Sequence, residues 1–182
     1  MRLRPRSIAP VFLLAGTVIA CWAVEAAGIR LNLTPSVPIG LYRLNRSPVG
    51  LGDLVAACLP VSSGAFGLDR GYLKRGSCPA GASPVIKHVV AALGNFVEIK
   101  PEGVFVDGQH IQSPAPAVDS KGRTLYPLSA GSYVLSPGQL WLYSPRENSW
   151  DSRFFGPVQS SMALGQVQPL WTVDPAQPDS RQ

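Results

Sequence analysis

Apolar positions in this chain come in short runs broken by Gly and Pro, and no long segment keeps a helical period. Residues 39–44, 54–59, 85–92, 95–99, 132–135, 140–143 and 167–173 read as strands, with Gly94 breaking the third from the fourth. Residues 103–108 read as a hairpin element. Turns fall at 50–53 and at 136–139, and 62–67 and 73–83 read as loops. The Pro-, Ser- and Ala-rich stretch 111–124 reads as an exposed excursion. The pattern predicts a mainly β, antiparallel fold.

One stretch departs from it. Residues 8–24 carry no charge and include Phe12, Leu13, Leu14, Ile19 and Trp22. Extended through Ala26 and Ala27, the run reaches the roughly 20 residues a bilayer span needs. Arg2, Arg4 and Arg6 precede it, which predicts that everything after Gly28 lies outside the cytoplasm. The organisation expected is a short cytoplasmic start over 1–7, a membrane anchor over 8–27, an exported domain over 28–174 and a polar tail over 175–182. Two other readings stay open: a signal peptide removed near Val24-Glu25-Ala26, and a lipidation site at Cys21. All three export the rest of the chain.

Composition adds bounds. The chain has 182 residues, 46% hydrophobic and 15% charged, with 18 Gly and 18 Pro, which suits short strands and turns in one domain with a real core. The formal net charge is +5, partly from the three arginines before the apolar run. No basic patch is interleaved with aromatics, which argues against a nucleic-acid partner. Of the three cysteines, Cys58 and Cys78 fall in the exported part, where disulfides persist. A bridge between them would close a loop of roughly 20 residues and contribute about 3 kcal/mol in the chain-entropy model. Two free thiols are the alternative.

Three stretches carry candidate chemistry. Ser36 lies between Pro35 and Pro38, each of which fixes φ and lacks an N–H, so the hydroxyl sits on a stiff, irregular piece of backbone just beyond the apolar run. Taken alone this is a linker. Lys87 interrupts the apolar strand 85–90, and alternation puts it on one face with Val85 and Val89 while His88 points away. Burial there would lower its pKa, as a lysine general base requires; taken alone, a solvated lysine is the commoner outcome. The third stretch, 148–157, holds Ser149, Asp151 and Arg153. Asp151 and Arg153 are two apart, share a face if extended, and can pair. Taken alone they shape a turn.

In this order the three stretches resemble type I signal peptidases: Ser36 with Pro38, then Lys87 in Val-Ile-Lys-His-Val-Val, then Ser149-Trp-Asp-Ser-Arg-Phe-Phe-Gly156. More narrowly, Asn32-Leu-Thr-Pro-Ser-Val-Pro-Ile-Gly-Leu-Tyr42, the Cys58/Cys78 pair, Asp151 to Val158 and Pro169-Leu-Trp171 resemble the conjugative-transfer (TraF) branch of that family. The resemblance implies a membrane-anchored serine endopeptidase with a Ser36 nucleophile, a Lys87 base and no metal or cofactor. It also implies Thr34 and the Ser36 N–H at an oxyanion hole, Asp151 as an acidic residue needed for activity, and Ser149 and Arg153 as its support. The implied fold is an antiparallel β domain with an apolar surface on the inner membrane, its catalytic part periplasmic. The implied substrate is an exported pilin precursor, which is hydrolysed or closed into a ring, and conjugation-channel components are implied neighbours. Val37 replaces the Met common after the serine, and Gly94-Asn95 stands where Gly-Asp is usual. A catalytically silent scaffold of a conjugation or secretion apparatus is the competing reading.

Overall fold

The structure is a computed structural model and describes residues 11–12, 14–17 and 26–174. Most of the expected anchor, 8–27, and the tail, 175–182, lie outside the described residues, as does Cys21. No helix among the described residues is long and apolar enough to cross a membrane.

Two antiparallel sheets organise the described chain. The larger is built from β1 (Ile29–Asn32), β2 (Ile39–Asn45), β3 (Leu54–Ala57), β4 (Val85–Ala91), β9 (Gln139–Tyr143), β10 (Val158–Gln159) and β11 (Ala163–Val173), in the order β1-β2-β11-β3-β4-β9-β10. The smaller holds β5 (Phe96–Lys100), β6 (Gly103–Val106), β7 (Gln109–Gln112) and β8 (Gly131–Val134), in the order β7-β6-β5-β8. Two helices interrupt the strands: α1 (Val61–Asp69) and the single turn α2 (Ser152–Phe155).

Strands β4 and β9 bury apolar side chains on both faces, β4 carrying Lys87 and His88 among them. In β9, Leu140 and Leu142 enter one core cluster with Val55, Val85 and Val89. Trp141, between them, enters a second with Ala91 of β4 and with Val97 and Val104 of the smaller sheet. A third cluster joins Val37, Tyr42, Ala56 and Val167, with Ile86 packed against it.

The expected β class and most expected strands are present. The departures are local. Residues 62–67, expected as a loop, are helical in α1. Gly64 and Gly67 depress helix propensity and hide it in the sequence. Both glycines are buried against other chain segments: a Cβ on Gly67 would lie 2.8 Å from Leu73 Cδ1. Tertiary packing therefore makes the helix. The stretch 111–124 is not exposed throughout: Ile111 and Gln112 end β7, and Gln112 is buried. Cys58 and Cys78 form a disulfide, with Cα atoms 5.4 Å apart, that ties the segment after α1 back to the end of β3.

Candidate functional site

The Ser36 turn joins β1 to β2, and an asparagine holds it. Asn32 Nδ2 donates to the carbonyls of Thr34, Val37 and Pro38 at 2.9, 3.2 and 3.1 Å. Asn32 Oδ1 accepts from Thr34 N at 3.1 Å and from Thr34 Oγ1 at 2.8 Å. Tyr42 Oη donates to Pro38 O at 2.6 Å, and Val37 is buried beneath the turn. The backbone on both sides of Ser36 is thus fixed, while Ser36 itself stays half-buried. Thr34 Oγ1 has one proton, and Asn32 takes it; in this arrangement Thr34 supports the turn.

Lys87 is 1% exposed. It alternates with buried Val85, Val89 and Ala91 along β4, as strand parity requires, with Val55 of β3 directly opposite. Its Nζ donates to Ser149 Oγ at 2.5 Å. Burial pulls its pKa from 10.5 down to about 8; the charge of Asp151 opposes the shift and that of Arg153 adds to it. His88, on the other face, has its pKa lowered by burial and by the nearby Lys87 charge.

Asp151 and Arg153 pair, but not as neighbours on an extended face. Asp151 is the N-cap of α2 and its carboxylate accepts from Arg153 N at 3.1 Å. The Arg153 guanidinium then folds back onto it: Nε donates to Oδ1 at 2.9 Å and Nη2 to Oδ2 at 3.0 Å. Arg153 also donates to the carbonyls of Ser113, Pro114 and Glu147 at 3.2, 3.2 and 2.7 Å. Both side chains are shut away from solvent. Ser152 Oγ accepts from Leu142 N at 2.8 Å, which docks α2 onto β9. Trp150, between Ser149 and Asp151, is stacked between Phe66 of α1 at 5.1 Å and Phe154 of α2 at 4.8 Å.

Two further residues join the pieces. Ser144 directly follows Tyr143, the β9 partner of His88. Fully buried Ser144 donates its Oγ proton to Ser36 O at 2.6 Å. Gln112 Nε2 donates to Ser144 O at 3.1 Å and to Asp151 Oδ2 at 2.9 Å. The sequence-predicted residues Lys87, Ser149, Asp151 and Arg153 thus share one buried network, and the Ser36 backbone is fastened to it through Ser144. Among the described residues Lys87 Nζ bonds Ser149, not the Ser36 hydroxyl. Sequence reading missed Asn32, Gln112, Ser144 and Trp150 as site residues. Only Asn32 has a local signal, an Asx turn onto Thr34 two residues on.

A buried lysine held on a serine hydroxyl is a group able to exchange a proton, with Asp151 and Arg153 setting the local field.

The family profile described as "Signal peptidase, peptidase S26" matches residues 4–171. The chain is 44% identical over 154 residues to the "Conjugal transfer protein TraF" of Agrobacterium fabrum, covering 81% of this chain and 85% of that one. It is 42% identical to the protein of the same name from Agrobacterium tumefaciens, over 89% of this chain and 95% of that one. It is 36% identical to a "Plasmid transfer protein TraF" of Escherichia coli, over 81% and 84%. Among solved structures, a signal peptidase I from Enterococcus faecalis overlaps with a TM-score of 0.37 at 15% identity, over 67% of this chain and 98% of that one, too loose a fit to bear on the site.

Proposed function

Because the chain belongs to the signal peptidase family, peptidase S26, we propose that it is a serine endopeptidase working through Ser36 and Lys87. The observation that carries this reading is the burial of Lys87: a lysine 1% exposed, with its pKa brought to about 8, is a base at mildly alkaline pH, and a solvated lysine is not.

Neutral Lys87 takes the proton from Ser36 Oγ as that oxygen attacks a peptide carbonyl. The Ser36 N–H donates to the oxyanion. Ser149 Oγ holds Nζ in place, and the amine then passes its proton to the leaving nitrogen. Water, or an amine of the substrate itself, next attacks the Ser36 ester and regenerates the hydroxyl. The charge of Asp151, which Arg153 holds in place, limits how far burial depresses the lysine.

The substrate we propose is an exported pilin precursor for conjugative transfer, in line with the names of the relatives, and the setting is the periplasmic face of the inner membrane beside the conjugation channel. An apolar row supports a membrane-facing surface. Leu31 pairs across with Leu41 on the hairpin that carries the Ser36 turn, Leu41 pairs with Trp171 of the adjoining β11, and the three are 61, 37 and 66% exposed.

The test is acylation of the full chain by p-nitrophenyl acetate, with the acetyl group located by peptide mass spectrometry. Labelling of Ser36 is expected to rise with pH through a midpoint near 8. It should be absent in Ser36→Ala and lose its pH rise in Lys87→Ala. A folded protein that never labels at Ser36 would return the chain to a silent scaffold.

A further inference from the structure

Gln112 stands out among the buried polar side chains. It ends β7, is 6% exposed, and its Oε1 is buried without a hydrogen-bond partner. A buried, unpaired acceptor is unfavourable and calls for an explanation. The opposite orientation is worse: rotating the amide would set Oε1 against the Ser144 carbonyl and the Asp151 carboxylate, two acceptors. As placed, Nε2 serves both at once, at 3.1 and 2.9 Å.

The consequence is a continuous path between the two halves of the site. Ser144 Oγ holds Ser36 O. Gln112 holds Ser144 O and Asp151, and the Asp151 charge acts on Lys87. We propose that Gln112 is a positioning residue of this centre, its amide coupling the strand end that holds the Ser36 turn to the carboxylate that sets the field at Lys87. This rests on the Ser36–Lys87 reading above.

The charged and titratable groups acting around Lys87 are Asp151 and Arg153 from the start of α2, His88 on its own strand and Tyr143 on β9. Val55, opposite on β3, is apolar. Of these only Asp151 favours the charged lysine, and Gln112 donates directly to it. Without the Gln112 dipole the carboxylate exerts a stronger field and Lys87 holds its proton to higher pH. A carboxylate at position 112 pushes the same way and further.

The same acetylation assay tests this. Acetyl transfers from p-nitrophenyl acetate to Ser36 Oγ, p-nitrophenolate leaves, and Lys87 takes the serine proton. Gln112→Leu is expected to lower the plateau rate about tenfold and to move the midpoint up by about half a pH unit. Gln112→Glu should move it further up. Ser144→Ala should slow labelling while leaving the midpoint in place. Wild-type midpoints in both Gln112 variants would overturn the inference. If neither folds, Ser144→Ala decides: a slowed rate upholds the path and a wild-type rate overturns it. Labelling that persists in Lys87→Ala with an unchanged pH rise would instead sink the Ser36–Lys87 reading itself.

Discussion

Lys87 makes the site legible at the scale of single residues, and it opposes stability. Its folded pKa is lowered to about 8 from 10.5, so between those values the unfolded chain binds more protons than the folded one. The linkage sign follows: stability contributed by this group rises with pH across that window, and below about pH 8 the full penalty of a buried ammonium applies. The penalty is about 3 kcal/mol. Lys87→Met fills similar volume without a charge, and Asp151 keeps its Arg153 partner. Urea unfolding at pH 7 should therefore show Lys87→Met more stable than wild type by up to about 3 kcal/mol, the gap closing as pH rises from 8 to 10.5. A variant equal to or weaker than wild type at pH 7 would contradict this account. Ser36 and Lys87 were singled out by the resemblance of their stretches, in that order, to type I signal peptidases; their neighbours alone left a linker and a solvated lysine as the commoner readings. Gln112 and Ser144 were not, because a glutamine and a serine at strand ends look like any solvated polar residue until their partners arrive from distant strands.

At the scale of elements, α1 and the disulfide act together. The disulfide anchors the segment after α1 to β3. Phe66 of α1 and Tyr72 just beyond it lie against Trp150 at 5.1 and 5.6 Å. Trp150 sits between the residue that holds Lys87 and the residue that sets its field. Replacing Cys58 and Cys78 together by Ser should lower stability by about 3 kcal/mol and the melting temperature by roughly 6–12 °C, read by calorimetry. It should also slow Ser36 acetylation, because the helix that clamps Trp150 is then freer. An unchanged melting temperature would count against the clamp. The helix escaped sequence reading because two glycines in nine residues lower propensity, and only their close packing shows why they are there.

At the scale of the whole molecule, the smaller sheet packs against β4 and β9 of the larger one through Ala91 and Trp141, and Arg153 ties the segment leaving the smaller sheet to the site. Its carbonyl accepts from Leu128 N at 2.8 Å while its guanidinium reaches Ser113, Pro114, Glu147 and Asp151. A lysine offers one point charge and three donors, without the planar fork that matches this set. Arg153→Lys should cost about 3–5 kcal/mol in urea unfolding, since it strips hydrogen bonds from a buried carboxylate and several buried carbonyls. Amide exchange of the 113–128 strap should accelerate with it. A loss below about 1 kcal/mol would show that the fork is dispensable.

The amino-acid sequence by itself determined the β class, most strand positions and the three polar stretches, because these depend on alternation, turn residues and local charge spacing. The cysteine pair was also legible, from its exported setting. What only the tertiary structure decided was which groups meet. That Lys87 is dry follows from the strands on either side. That Asp151 caps a helix turn depends on the docking of Ser152 onto β9. That the Ser36 turn is fastened to Ser144 depends on one hydrogen bond between residues far apart in the chain. Contacts of that kind have no local period, since loop closure brings together segments whose sequences carry no mark of one another.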